Sequence, residues 1–292
     1  MSERVVVTLD GQVHDPDAPL LYADDLAAVR GDGVFETILV RGGAPCGVEL
    51  HLARLLASAA ALDLPTPDRD DWRLVVGLAV DEWTRTSDDE GALRLVLSRG
   101  REGGGEPTGY ATVGPLHERV TRARADGVAA ITLARGYSVD FAAQAPWQLL
   151  GAKTLSYATN MAALRHAARL GADDVIYTSS EGRVLEGPRS TVVLARGKTL
   201  ITPPAEHGIL SGTTVEALFQ VASDKGFDCE RSDVFPADLI AADGVWLISS
   251  ITLAARVVSL NGVVLPVPSI ADDVRSMVDT AVETIGDEVS DA

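Results

Sequence analysis

Cysteine is scarce in this chain: its 292 residues include two, Cys46 and Cys229, far apart and outside any paired metal-ligand spacing. Neither a disulfide framework nor a cysteine metal site is expected, and free thiols fit a reducing compartment. The five histidines form no His-Glu-x-x-His pair, so no metal is expected either. No apolar run reaches the length of a membrane span, and the opening Met-Ser-Glu-Arg-Val-Val-Val reads as a short strand, not a signal peptide. The expectation is a cytoplasmic protein with no membrane partner. Positive charge is also in deficit. A formal net charge of −17 repels phosphate backbones and argues against nucleic acid, despite Arg119, Arg122 and Arg124 in one short stretch. No internal repeat or low-complexity block is evident.

What is present suits a folded chain. Hydrophobic residues make up 46% and charged residues 23%, enough for one large α/β unit or two domains sharing a cleft. A strand over 4–9 is followed by Gly31-Asp32-Gly33 and a β-rich run over 34–40 that turns at Arg41-Gly42-Gly43. Leu52, Leu55, Leu56, Ala59 and Leu62 mark a helix that Pro65 and Pro67 end, and a second helix is expected over 70–83. Strands follow over 92–97 and 110–116, separated by a glycine-rich loop that lacks the Lys-Ser/Thr ending of a phosphate-binding P-loop. The polar stretch 117–127 reads as a linker. The expected division is a small α/β domain (1–117), a linker (118–127) and a larger domain (128–292).

In the second half a strand over 128–133 and a loop over 136–150 lead to Lys153. This lysine is expected to open a helix with the stripe Tyr157, Met161, Leu164 and Ala168, ended by Gly171. Short strands over 174–178, 183–186, 191–195 and 199–202 form a meander. Val215, Leu218, Phe219 and Ala222 share a helix face, a strand over 244–248 ends in Ser249-Ser250-Ile251-Thr252, and Asn261-Gly262 marks a hairpin. Ile270, Val274, Met277, Val278, Ala281 and Ile285 make a closing amphipathic helix.

Two polar residues stand apart in this pattern. An amine held beside apolar groups has its ammonium form disfavoured and can attack a carbonyl, whereas a separate carboxylate can hold a heteroaromatic nitrogen. Lys153 and Glu186 offer that pair, which is what pyridoxal phosphate (PLP) requires of a protein; Lys153 as a plain helix-capping residue is the alternative. Arg54 either snorkels to the surface or reaches an anion. Gly212-Thr213-Thr214 at a helix start is either an anion cradle or an ordinary cap.

In their order, Gly31-Asp-Gly-Val-Phe-Glu-Thr37, His51-Leu-Ala-Arg54-Leu, Lys153 with Tyr157 and Asn160, Leu185-Glu186-Gly-Pro, Leu210-Ser-Gly-Thr-Thr214 and Ser249-Ser-Ile-Thr252 resemble the fold-type IV PLP enzymes. These are the branched-chain and D-amino acid aminotransferases and the aminodeoxychorismate lyases. The resemblance runs from about Asp24 to about Arg256. It implies a two-domain α+β fold, PLP in the interdomain cleft, and a homodimer. It makes Lys153 the catalytic Schiff-base residue and pairs Glu186 with the pyridine nitrogen. Arg54, Gly212, Thr213, Thr214 and the Ser250-Ile251 turn would hold the phosphate. Tyr157 would lie near the ring and Leu210 against one ring face, with Phe35, Thr37 and Arg99 on the substrate side. Thr214 stands where many transaminases have Arg, Ser156 where Asn often follows the lysine, and Thr191 where Asn is frequent after the glutamate. The wording is most like aminodeoxychorismate lyases, which release pyruvate and leave 4-aminobenzoate for folate synthesis; the alternative is a branched-chain or D-amino acid transaminase. Retention of Lys153, Glu186 and Arg54 together argues against a non-catalytic PLP-binding protein.

Overall fold

The computed structural model describes residues 4–284, which fall into two compact units. The first holds described residues 4–117, 152–157 and 283–284, and the second holds Glu118–Gly151 and Ala158–Val282. Among the described residues no helix is long and apolar enough to cross a membrane, and no group of three or more His, Cys, Asp or Glu could hold a metal ion.

The first unit is built on β1 (Val5–Thr8), β2 (Val13–His14), α1 (Leu26–Arg30), β3 (Gly33–Arg41), β4 (Ala44–Pro45), α2 (Val48–Ala61), α3 (Arg69–Thr84), β5 (Gly91–Ser98) and β6 (Thr108–Pro115). The strands form one antiparallel sheet in the order β2-β1-β6-β5-β3-β4. Alternation along β3 places Val34, Glu36, Ile38 and Val40 on one buried face. Helices α2 and α3 pack on the sheet and contribute Leu52, Leu55, Ala59, Trp72, Val75 and Val76 to the core. Asp68 caps α3 by accepting from the N–H groups of Asp70 and Asp71.

Lys153 does not open a helix. Residues 153–155 run extended along the edge of β3 that β5 leaves open. Phe35 N donates to Lys153 O at 3.0 Å, Leu155 N donates to Gly33 O at 2.8 Å, and Val34 bridges Thr154. Long-range pairing has overridden local helical periodicity here, so the lysine belongs to the first unit and not to the larger domain expected from sequence. Gly33 permits it: a Cβ there would lie 2.6 Å from Leu97 O and 2.7 Å from Leu155 Cδ1.

The second unit comprises α4 (Glu118–Asp126), β7 (Val128–Ala134), α5 (Phe141–Gln144), α6 (Ala158–Arg169), β8 (Asp174–Thr178), β9 (Thr191–Arg196), β10 (Thr199–Thr202), α7 (Thr213–Asp224), β11 (Asp228–Arg231), α8 (Pro236–Ala241), β12 (Gly244–Ser249), β13 (Leu253–Leu260), β14 (Val263–Val264) and most of α9 (Ala271–Thr284). Its mixed sheet follows β11-β10-β9-β12-β13-β7-β8, with β14 paired to β13. Val192, Leu194, Val245, Leu247, Ala255 and Val257 lie in one buried cluster.

Three local expectations need correction. The stretch read as a linker is largely α4, whose Val120 and Ala123 are buried and which packs on β13. Its polar remainder hid a narrow apolar stripe. Residues 183–186 form no regular strand, making isolated pairings with Thr178 and Tyr177. Helix α6 starts five residues later than expected, and its buried positions are Leu164 and Ala167, while Met161 is exposed. Ile285 lies outside the described residues.

Substitution Gly33→Ala should destabilise the protein by roughly 1–3 kcal/mol through overpacking against Leu97 and Leu155. The urea midpoint measures this, and an unchanged midpoint would contradict the close approach.

Candidate active site

In the first unit, Glu36 is fully buried and receives four donors. Arg54 Nε reaches its Oε1 at 2.7 Å; Arg54 Nη2, His51 Nδ1 and Thr37 N reach its Oε2 at 2.8, 2.7 and 3.3 Å. His51 and Arg54 lie three residues apart on α2, so both side chains meet the same point of β3. Burial pushes the Glu36 carboxyl up, but the charge and hydrogen bonds of Arg54, with His51, outweigh it and hold the group well below the usual carboxylate range. Burial lowers the pKa of His51; the pull of Glu36 opposes that only in part, and the nearby charges of Arg54 and Lys153 add to the lowering. The neutral imidazole therefore donates from Nδ1 to an ionised carboxylate. Together they fix the plane of the Arg54 guanidinium.

Lys153 is held at its backbone by β3 and by Ser58 Oγ, which accepts from its N–H at 3.1 Å. Its Nζ lies 4.6 Å from the Phe35 ring centroid, and the Tyr157 ring stands edge-on to Phe35 at 5.6 Å. Phe35 and Thr37 share the sheet face opposite Glu36. Arg99 is committed elsewhere in the unit: Nε and Nη2 donate to Asp32 at 2.7 and 3.2 Å, and Leu62 O and Asp63 O also accept from it.

The second unit collects the other expected residues. Glu186 is ion-paired with Arg135 through Oε1 and accepts from Leu210 N at 3.0 Å through Oε2. Burial alone would lower the Arg135 guanidinium, and Glu186 more than compensates, so the arginine stays charged. It also lies against the rings of Tyr137 and Tyr177, at 5.5 and 5.2 Å. Burial pushes the Tyr137 phenol up to about 12 and raises Tyr177 as well, leaving both protonated at neutral pH. Tyr177 Oη donates to Asn160 Oδ1 at 3.1 Å, and Asn160 Nδ2 donates to Pro188 O at 3.1 Å.

Helix α7 begins at Gly212 without a side-chain cap, and Thr213 and Thr214 are buried in its first turn. A Cβ on Gly212 would lie 2.4 Å from Thr191 Oγ1, so only glycine allows this close start. Between β12 and β13, the Ile251–Thr252 peptide is clamped at both ends. Arg124 Nε and Nη2 donate to Ile251 O at 3.0 and 2.5 Å, and Thr252 N donates to Ser249 Oγ at 3.0 Å.

This donor set fits PLP. An uncapped helix start and a hydroxyl-rich turn suit a phosphate, and an oriented, already ion-paired carboxylate suits a ring N–H. Sequence reasoning missed Arg135 and Arg124. Each acts at a residue 51 or 127 positions away, and no local spacing signals such a contact.

The family profile described as amino-transferase class IV matches residues 33–260. The chain is 55% identical over 285 residues to the bifunctional aminodeoxychorismate lyase / D-amino acid transaminase of Mycobacterium tuberculosis, covering 95% of this chain and 99% of that protein. Its fold matches a hypothetical aminotransferase from Mycobacterium tuberculosis in a PLP-bound form, with a TM-score of 0.94, 56% identity and coverage of 96% and 99%. It also matches a fold IV transaminase from Curtobacterium pusillum, with a TM-score of 0.91, 39% identity and coverage of 96% and 98%.

Acid should weaken the first unit in two stages of one sign. Below the ordinary histidine range the unfolded chain binds a proton that buried His51 refuses. Below the ordinary carboxylate range stability is lost further as pH falls toward the depressed pKa of Glu36. Glu36→Gln should cost roughly 3–5 kcal/mol at neutral pH and flatten the lower stage. Urea midpoints at stepped pH measure both, and an identical pH slope in the variant would contradict the assignment.

Proposed function

Since the chain belongs to the class IV aminotransferases, the fold-type IV family of PLP enzymes, we propose that it is an aminodeoxychorismate lyase that also transaminates D-amino acids. The observation that carries the pairing is the likeness to the bifunctional mycobacterial protein over nearly the full length of both chains. In this reading PLP is served by Lys153, Arg54, Glu186, Leu210, Gly212, Thr213, Thr214, Ser250 and Ile251. Folate-precursor synthesis, a homodimer and a cytoplasmic location belong to the same reading and rest on the family resemblance.

PLP, when bound, supplies an electron-withdrawing ring that stabilises negative charge on the carbon bearing the substrate nitrogen. The chain's own residues do the rest. The amine of Lys153 removes the proton from that carbon, and its attachment to β3 limits how far the amine can wander. Glu186, its carboxylate oriented by Arg135 and by Leu210 N, would hold the ring nitrogen of the cofactor by accepting its hydrogen bond. For the lyase, the C–H electron pair becomes part of the new aromatic ring as the C–O bond to the enolpyruvyl group breaks. The departing group takes a proton from the Lys153 ammonium and leaves as pyruvate. In transamination the same ammonium would deliver that proton to the cofactor's carbon on the far side of the nitrogen, not to the carbon it left, so that hydrolysis frees a 2-oxo acid and the amine stays with the cofactor.

The test supplies aminodeoxychorismate in one reaction and D-alanine with 2-oxoglutarate in another. 4-Aminobenzoate with pyruvate is expected in the first, and glutamate in the second. Glutamate without 4-aminobenzoate would sink the lyase half, and the reverse would sink the transaminase half. Lys153→Ala should lower both rates by about 10³-fold or more, and retention of either would remove Lys153 as the shared base.

A further inference from the structure

The hairpin between β12 and β13 is held in a conformation that its own residues do not favour. Ser249 pairs with Leu253 across the ladder, so Ser250, Ile251 and Thr252 alone make the connection. Connections this short ordinarily put glycine or asparagine at their left-handed position. Here Leu253 takes it, at φ +56. Of the four non-glycine residues with positive φ among those described, Asp63, Leu149, Leu253 and Asn261, it is the buried one. Strain of this kind persists where surrounding contacts over-determine the backbone, and it gathers at ligand clamps.

The over-determining contact comes from α4. Ala123 packs with Ala255 and Val257 of β13 in one core cluster. Just beyond the helix, Gly127 N donates to Ala123 O at 3.1 Å, and the chain passes so close to β13 that a Cβ on Gly127 would lie 2.4 Å from Arg256 O. The helix end is thereby fixed on the strand on both sides of Arg124. From there Arg124 directs two N–H groups, Nε at 3.0 Å and Nη2 at 2.5 Å, at the carbonyl oxygen of Ile251. A trans peptide points its N–H away from its carbonyl, so the same hold turns the N–H of Thr252 to the opposite side, where Ser249 Oγ accepts it at 3.0 Å. A guanidinium fork suited to an anion is committed instead to the orientation of one peptide group. A carbonyl held by two donors does not swing round to set its negative end against an anion in the turn.

We propose that Arg124 is a positioning residue for the cofactor's phosphate: by holding Ile251 O it keeps the turn of Ser250, Ile251 and Thr252 in the one strained form that presents its donors to the anion. This rests on the reading that Ser250 and Ile251 receive that phosphate. Arg124 acts on it only through the turn.

The test strips the full-length protein of cofactor and measures, by absorbance, the binding of PLP and of pyridoxal, which lacks the phosphate. Arg124→Gln should weaken PLP by roughly tenfold and pyridoxal by less than about twofold, because only the phosphate meets the turn. Arg124→Lys keeps the charge without the fork and should stay at least about threefold weaker than wild type for PLP; it carries the test if the glutamine variant does not fold. Ser250→Asp sets a carboxylate in the turn, should remove the preference for PLP over pyridoxal, and tests the underlying reading by itself. An unchanged PLP constant in Ser250→Asp means that the turn holds no phosphate, and the proposal falls with that reading. A PLP loss in Ser250→Asp leaves the phosphate in the turn; the positioning role is then overturned if Arg124→Gln leaves PLP unchanged, if it weakens PLP and pyridoxal by equal factors, or if Arg124→Lys binds PLP as wild type does.

Discussion

Pairing between Gly33–Phe35 and Lys153–Leu155 is the constraint on which the chemistry of the first unit depends. With Val34 bridged to Thr154, Lys153 lies directly across from Phe35, and the two side chains emerge on the same face. The amine consequently lies over the Phe35 ring and on the side opposite Glu36. A slip of one residue would bring Thr154 to this place and turn the lysine toward the helix-covered core, where an amine would meet Val34 and Ile38. The glycines around Asp32 are what keep the register. Gly33 leaves room for Leu155. Gly31, at φ +68, passes Ser156 so closely that a Cβ would lie 2.8 Å from its Oγ.

A buried carboxylate on β3 looks costly beside this, since three apolar residues share its face. A well-packed aliphatic side chain at that position would often stabilise a fold as much or more than a buried ion pair. What an aliphatic residue does not supply is direction. Glu36 engages Arg54 at two nitrogens, and a bidentate pair sets the plane of a guanidinium in a way that a single contact does not. Neutral His51 completes the shell without adding a second positive charge. The arrangement trades packing for a fixed orientation of Arg54, and in the proposed reading that arginine faces a phosphate.

Much of this was legible in the sequence because it is local. The strand after Gly-Asp-Gly, the Leu52–Leu62 stripe and the α7 face of Val215, Leu218, Phe219 and Ala222 arise from periodicity, and each is buried as the pattern requires, apart from the half-buried Leu56. What was illegible is non-local. The chain at Lys153 has helical spacing, and the β3 edge outbids it with two backbone hydrogen bonds. The 118–127 stretch is polar enough to pass for a linker because only Val120 and Ala123 of its helix are buried. Arg135 comes just after a β-strand with no pattern to mark it, and its role is visible only once Glu186 is brought to it. Arg99 is the reverse case: near a promising motif in sequence, yet bound to Asp32 and to the carbonyls at the end of α2.

Two reactions from one site need no second set of residues in the proposed reading. Both begin with loss of the same proton to the same amine, and the protein's work of placing Lys153, Glu186 and Arg54 is complete at that step. Beyond that step the substrate decides the outcome. Aminodeoxychorismate carries an enolpyruvyl ether whose departure makes the ring aromatic, so the electrons have an exit that releases a large amount of free energy. A simple D-amino acid has no such group, and the productive course is delivery of the proton by Lys153 to the cofactor's carbon in place of the carbon it left, after which water frees a 2-oxo acid.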